Sequence, residues 1–385
     1  MEVGEKFEVK KGMNLFEYTG HLHIHSTFSD GKGSMSHIVA AARQAGLDFI
    51  GITDHNTLAA RDEGWEGRHD GVLVIVGMEV NHRKNHYVAF DVTEPVPPDD
   101  ENPGNVIAAV NAQGGFGYMA HPVEKGNPAF LDGCCYPWDR WELNDYSGLE
   151  IWNFGSLWRG SYRRLWQALF WYYADPYRAA RFPEPEGLAL WDRLSRERPV
   201  SAFVGSDAHA MTLGRGLLKV TFFPYRFLFT TLNVHILLPA ALESDFSTAR
   251  SQILGALRKG QFFCCSDYLQ PGNGFRFSAL NEEDGEVGMG GQIPHTPGTV
   301  LRVVSPSPRS IIRIIKNGRL AYQNRQKTLA FKVLKPGTFR VEIYLRTLFG
   351  PDLPWIYSNP IYVTDSGLRG RYCLSAHCGS PEPSP

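Results

Sequence analysis

Gly20-His21-Leu22-His23-Ile24-His25-Ser26-Thr27-Phe28-Ser29-Asp30-Gly31 is the stretch from which the rest of the chain can be read. On an extended strand His23 and His25, two residues apart, leave from one face and can grip one ion. Asp30 adds a carboxylate oxygen a polar turn later. Two histidines on a solvated strand face would look the same, so the pattern needs company. It finds it in a series of apolar runs that stop at metal-competent residues. Leu47 to Ile52 runs into Thr53-Asp54-His55, and Val72 to Val76 into Gly77-Met78-Glu79. Phe116 to Ala120 ends at His121-Pro122, and Val200 to Val204 at Gly205-Ser206-Asp207-Ala208-His209. His86 departs from the rule by opening the run Tyr87 to Phe90. Ligand-type residues at the carboxyl ends of successive strands, with helices between, predict an α/β protein: a β/α barrel whose reaction face is one rim.

This ordered set resembles the motifs of the PHP family, the polymerase and histidinol phosphatase metallohydrolases, over about residues 18–220. The resemblance implies a distorted seven-stranded barrel holding two or three divalent metal ions. It places His23, His25, Glu79 and Asp207 on one ion, with Glu79 bridging to a second held by His86 and His121. A third would sit with Asp30, His55 and His209. Imidazoles mixed with carboxylates suit zinc, manganese or iron. A carboxylate shared by two cations lowers their repulsion, and a water between them is acidified toward a hydroxide that attacks phosphorus in line.

The expected activity is therefore metal-dependent hydrolysis of a small or medium organic phosphate ester. Glu79 and Asp207 stand at its centre, and His235 is the candidate proton donor to the leaving group. Arg83 and Arg215 are candidate phosphate contacts. Trp152 and Asn153, at the end of the strand Gly148 to Asn153, are candidate substrate contacts. His82 competes with His86 for the second ion, and adjacency to the Tyr87 to Phe90 run favours His86. The same centre would serve a carboxylic-ester or carbamate hydrolase, and the aromatic insertion and appended sandwich described below are similar to a carbaryl-hydrolase-like branch of PHP relatives. A non-catalytic binding module is disfavoured because every ligand position is filled.

With 385 residues, 43% of them hydrophobic, the chain is long enough for two cores. Lys+Arg 39 against Asp+Glu 40 gives a formal charge of −1, which provides no footprint for nucleic acid or for an acidic membrane. The first residues, Met1 to Phe7, are too charged for a secretory signal, which points to the cytoplasm. The 6 cysteines lack paired metal-knuckle spacing and read as free, mostly structural thiols.

Residues 1–265 are expected to form the barrel. Ser34 caps a helix that ends at Gly46, Asn105 one over Val106 to Gln113, and Asp245 or Ser247 one over Phe246 to Lys259. An insertion at about 124–199 holds seven of the 9 tryptophans, with Trp166, Leu169, Phe170 and Tyr173 at helical spacing. Its aromatics either pack the insertion onto the barrel or wall a pocket over the metals. Thr221 to Leu242 is interrupted by Arg226, Asn233 and His235, and reads as a buried helix rather than a membrane span. After a linker at 266–274, residues 275–365 carry short alternating runs with an Asn317-Gly318 hairpin turn. They predict an antiparallel β-sandwich with a structural or homo-oligomerisation role, and a chain cut near Tyr268 is expected to keep its metals. Residues 366–385 are Gly-, Ser- and Pro-rich and predicted to be disordered.

Overall fold

The computed structural model describes residues 14–127, 135–213 and 220–365. Arg215, Cys134, Cys373, Cys378 and the expected tail 366–385 lie outside these. Nine strands precede or enter the candidate site: β1 (Phe16–Ile24), β2 (Phe49–Ile52), β3 (Gly67–His69), β4 (Val72–Val76), β5 (Met78–Val80), β6 (Tyr87–Phe90), β7 (Phe116–Met119), β8 (Gly148–Asn153) and β9 (Ser201–Ala208). A small ribbon, β10 (Thr212–Leu213) with β11 (Val220–Thr221), leads to β12 (Leu232–Leu238) and β13 (Phe262–Ser266). The helices are α1 (Met35–Ala45), α2 (Ala59–Asp62), α3 (Pro103–Ala112), α4 (Phe154–Ser161), α5 (Leu165–Ala174), α6 (Pro185–Leu194), α7 (Tyr225–Leu228) and α8 (Phe246–Lys259).

Local chemistry explains the helix ends. Ser34 accepts the His37 N–H at the start of α1, and Gly46 closes it in the left-handed region at φ 75°. Asp245 caps α8 through the Thr248 N–H. The start of α3 lies earlier than its expected cap at Asn105: Asn102 takes the cap position because Pro103 is preorganised for a first helical turn.

β1 pairs in parallel with β2 and β9, and β2 with β4. The chain continues from β4 through Gly77 into β5, which pairs antiparallel with β6, and β6 pairs likewise with β7. Parallel pairs β7 with β8 and β8 with β9 lead back to β1. The result is a mixed α/β protein with one large sheet, and its apolar strands share a single core with α1, α3 and α8.

Thr221 to Leu242 is not a helix. Only Tyr225–Leu228 is helical, and Leu232–Leu238 is a strand antiparallel to β1 with Thr19 opposite His235. The polar residues that seemed to interrupt a helix alternate instead: Asn233 and His235 turn toward buried polar partners.

The remaining strands are β14 (Arg276–Asn281), β15 (Gly285–Gly288), β16 (Gln292–Pro294), β17 (Val300–Val304), β18 (Ser310–Lys316), β19 (Arg319–Asn324), β20 (Thr328–Lys332), β21 (Gly337–Leu345), β22 (Leu353–Ser358) and β23 (Ile361–Thr364). β15, β14, β17 and β20 form a four-stranded antiparallel sheet. It shares a second apolar core with β18 and β21 to β23, consistent with a sandwich. Asn317 and Gly318, at φ 50° and 77°, make the β18–β19 turn as expected. The large sheet continues past the expected linker, because β13 pairs antiparallel with β22. No helix among the described residues is long and apolar enough to cross a membrane.

Candidate metal centre

The candidate ligands meet where the strands end. Glu79, on β5 and 1% exposed, is the hub. Its Oε2 lies 3.5 Å from His23 Nε2, 3.5 Å from His25 Nε2 and 2.9 Å from His55 Nδ1. Its Oε1 lies 3.0 Å from His86 Nδ1 and 3.3 Å from His121 Nε2. Asp207 Oδ1 approaches His23, His25 and His209 at 3.4, 3.1 and 3.4 Å. Asp30 Oδ1 joins His55 at 3.4 Å and His209 at 3.0 Å. Three overlapping groups result: His23, His25, Glu79 and Asp207; Glu79, His86 and His121; His25, Asp30, His55 and His209.

Backbone geometry aims these groups. His23, His121 and Asp207 have φ of 67°, 27° and 54°, in the left-handed region that non-glycine residues avoid. Each such position costs on the order of 1–3 kcal/mol and survives only where its surroundings impose it. At His23 the register of β1 shifts against both β2 and β9. The convergence of His23 and His25 thus comes from a bulge, not from the regular alternation expected of an extended strand. The loop carrying Asp30 is fixed by Asp54, whose carboxylate accepts from the Ser26 N–H, the Ser26 hydroxyl and the Ser29 hydroxyl at 2.7, 2.7 and 2.6 Å.

The donor set fits divalent ions. Among the described residues His23 Nε2, His25 Nδ1, His86 Nε2 and His121 Nδ1 are buried without a hydrogen-bond partner, an expensive arrangement unless something else satisfies them. Within each group the ligand atoms all lie within 4.8 Å of one another, close enough to share an ion. Burial opposes charge on Glu79 and Asp207, yet the surrounding imidazoles hold both carboxyl groups well below their ordinary range. Burial, then crowding by His209 and His55, pushes His25 down to about 3. For His209 burial is outweighed by Asp207 and Asp30, which carry it up to about 9.

Three neighbours of the cluster have no counterpart among the residues singled out from the sequence. Glu150, in the middle of β8, accepts from His23 Nδ1 at 3.2 Å and from the His121 N–H at 2.9 Å. It thereby leaves His23 Nε2 free to face Glu79 and Asp207. Its signal was a lone carboxylate inside an otherwise apolar strand. Glu124 lies 3.5 Å from His121 Nδ1 and pairs with Arg159 on α4. Arg159 is close enough to Asp207 and Glu79 for their charges to stabilise its own, although burial lowers it. Nothing in the local sequence singled out Arg159 among the arginines of the insertion.

Of the other expected contacts, His235 and Trp152 are buried in the core and Asn153 borders the centre. His235 cannot serve the leaving group: it is fully buried, and its register opposite Thr19 puts it about 13 Å along β1 from His23. Its nitrogens face Glu17 at 3.0 Å and Asp267 at 3.1 Å. His235, Cys265 and Asp267 have metal-like spacing, but both ring nitrogens of His235 already face carboxylates. Trp152 is 1% exposed, donates to the Ala180 carbonyl and packs edge-on against Tyr357, which makes it core. Asn153 caps α4 through the Ser156 N–H; its amide nitrogen, buried and without a partner among the described residues, borders a cavity of about 20 Å³ beside His121 and Glu150. Arg83 is exposed on a loop whose backbone Asp100 holds. His82 is exposed and paired with Asp100, whereas His86 joins the cluster.

The His235 network makes a stability prediction. Burial alone would lower His235, but Asp267 and Glu17 raise it to about 9 from an ordinary 6.5, while both carboxylates are lowered. The imidazolium contribution is complete below about pH 6.5 and disappears as pH rises through about 9. The carboxylate contribution disappears as the solution is acidified below the ordinary carboxylate range. His235→Gln should therefore lower Tm most at about pH 5–6.5 and least near pH 9. A pH-independent difference in thermal melts would contradict this assignment.

Residues 21–157 match the family model of the PHP domain. The chain is 35% identical over 83 residues to the phosphoribosyl 1,2-cyclic phosphate 1,2-diphosphodiesterase of Eggerthella lenta, covering 20% of this chain and 32% of that protein. It is 26% identical over 144 residues to an uncharacterized protein of Methanocaldococcus jannaschii, covering 34% of this chain and 80% of that one. A crystal structure of a two-domain Bacteroides vulgatus protein, containing a predicted PHP-like metal-dependent phosphoesterase, superposes with a TM-score of 0.44 at 14% identity. That match covers 93% of this chain and 100% of the other.

Proposed function

We propose, from the match of residues 21–157 to the family model of the PHP domain, that the protein is a metal-dependent phosphoesterase hydrolysing a small or medium organic phosphate ester. The observation that carries this reading is the convergence of nine side chains on one mouth, with buried imidazole nitrogens left without partners. We read the circuit of strand pairings as the seven-stranded barrel that gathers them. His23, His25, Glu79 and Asp207 would hold one ion, Glu79 with His86 and His121 a second, and Asp30, His55 and His209 a third. When bound, such ions acidify water and absorb charge that develops on phosphate oxygens.

The protein's own part is positioning. Glu79 holds both of its oxygens between two groups of imidazoles, and Glu150 fixes the tautomer of His23. Arg159 is the cation best placed to bind the substrate phosphate, through a planar donor set that matches phosphate oxygens. Glu124 orients that guanidinium.

Comparing turnover of p-nitrophenyl phosphate and 1-naphthyl N-methylcarbamate by the zinc and manganese forms tests the reading. Phosphate-ester turnover is expected. Turnover of the carbamate alone would transfer the centre to carbonyl chemistry, and fewer than one tightly bound transition metal per chain would leave a binding module instead.

A further inference from the structure

We propose that α5 docks the protein on an anionic membrane surface. This helix, Leu-Trp-Gln-Ala-Leu-Phe-Trp-Tyr-Tyr-Ala, is apolar almost all round, a composition normally found inside a protein. Yet Leu165, Trp166, Phe170 and Tyr173 are 54%, 62%, 56% and 72% exposed, while Ala168 on the opposite side is fully buried. Trp166, Phe170 and Tyr173 recur at i, i+4 and i+7, so they form one continuous outward ridge. An exposed ridge of large aromatics marks an interaction surface, not a solvated one.

Its charge selects the partner. Between Leu157 and Phe182 the sequence carries Arg159, Arg163, Arg164, Arg178 and Arg181 but a single acid, Asp175, which Arg181 neutralises. Arg163, Arg164, Arg178 and Arg226 are exposed and have no carboxylate partner among the described residues. The whole-chain charge of −1 conceals this local excess, which is why composition spoke against an acidic membrane. Aromatic rings with an apolar body and a wet edge, framed by arginines, suit the headgroup layer of an acidic bilayer better than a neutral surface.

Position adds to the argument. The inner side of α5 packs through Tyr172 on Phe222 and Phe223, at ring separations of 4.8 and 5.0 Å. The Phe222 N–H in turn donates to the Met211 carbonyl at 2.7 Å, two residues beyond His209. Met211 is 53% exposed. α5 is thus joined through Phe222 and Met211 to the segment that follows His209, and a bilayer against the ridge would bring headgroups toward that segment.

Co-sedimentation of the full-length, metal-loaded protein tests this without reference to turnover, so it can fail independently of the phosphoesterase reading. The protein should sediment with equimolar phosphatidylcholine–phosphatidylglycerol vesicles, not with phosphatidylcholine vesicles, and high salt should release it. The double variants Arg163→Glu/Arg164→Glu and Trp166→Ser/Phe170→Ser should each lower the partition coefficient about tenfold or more. Both should keep metal content and hydrolysis of soluble p-nitrophenyl phosphate, since these side chains face solvent. Absence of sedimentation, or sedimentation indifferent to lipid charge and to both variants, overturns the proposal. So does light scattering that shows a dimer in the parent and a monomer in Trp166→Ser/Phe170→Ser, because the ridge would then be a contact between copies.

Discussion

Glu79→Gln is expected to lose metal and turnover together, with kcat/KM falling by more than about 10³-fold. The side chain sits where five imidazoles converge, with one oxygen toward His23, His25 and His55 and the other toward His86 and His121. Glutamine preserves the shape and one acceptor. It removes the charge that lets two cations lie close together, and it turns an amide N–H₂ toward nitrogens that would have to donate lone pairs to metal. The fold should survive, because Glu79 is held by strand pairing with Val88 and by the backbone bridge to His55, which the amide leaves intact. Elemental analysis should show fewer ions per chain than in the parent, with an unchanged far-ultraviolet circular dichroism spectrum. A variant with the full metal complement and the parent rate would remove Glu79 from the centre.

Why Glu79 was legible and Arg159 was not follows from how each is positioned. Glu79, His121 and Asp207 each terminate an apolar run, so a rule about strand ends finds them without knowledge of the turns. The bulge at His23 and the left-handed backbone at Asp207 were invisible, because nothing in His-Ile-His or Ser-Asp-Ala announces a positive φ. They did not mislead, since the bulge delivers both imidazoles to the same place. Arg159 and Glu124 sit in the insertion, where long-range packing of α4 on β9, not local periodicity, sets direction. The misreading of Thr221 to Leu242 has the same origin. A short apolar segment with polar interruptions fits a helix or a strand, and only its partner β1 decides. His235 looked like an available proton donor because the acids that bind it, Glu17 and Asp267, come from segments 218 and 32 residues away.

A chain ended after Tyr268 should not accumulate as a folded, metal-loaded protein, the reverse of what the sequence suggested for that cut. The excised strands are built into the large sheet. β22 supplies the edge partner of β13, with Cys264 opposite Tyr357, and Tyr357 packs edge-on against Trp152. Asn359 accepts from the Ala202 N–H at 2.7 Å and donates to the Phe262 carbonyl, while Tyr362 accepts from the Val200 N–H at 2.9 Å. Ala202 belongs to β9, the strand that carries Asp207, and Val200 immediately precedes it. Arg340 pairs with Asp192 on α6 at 2.7 and 2.8 Å and lies over the Trp191 ring. Removing these groups leaves backbone donors of β9 unpaired, opens the edge of β13 to association, and uncovers Leu237 and Phe263, now 6% and 0% exposed. Exposing those two side chains alone costs about 1.5–3 kcal/mol each. Metal stabilises only a site that is formed, by about 2.7 kcal/mol per ion at a hundred times its Kd, and the strand that carries Asp207 has lost its backbone partners, so added metal should not rescue the fragment. Soluble yield, a cooperative thermal transition and metal content measure the outcome. A fragment with a sharp transition and the parent's metal content would mean that the sheet is complete at β13 and that the strands beyond it contribute nothing to holding Asp207 in place.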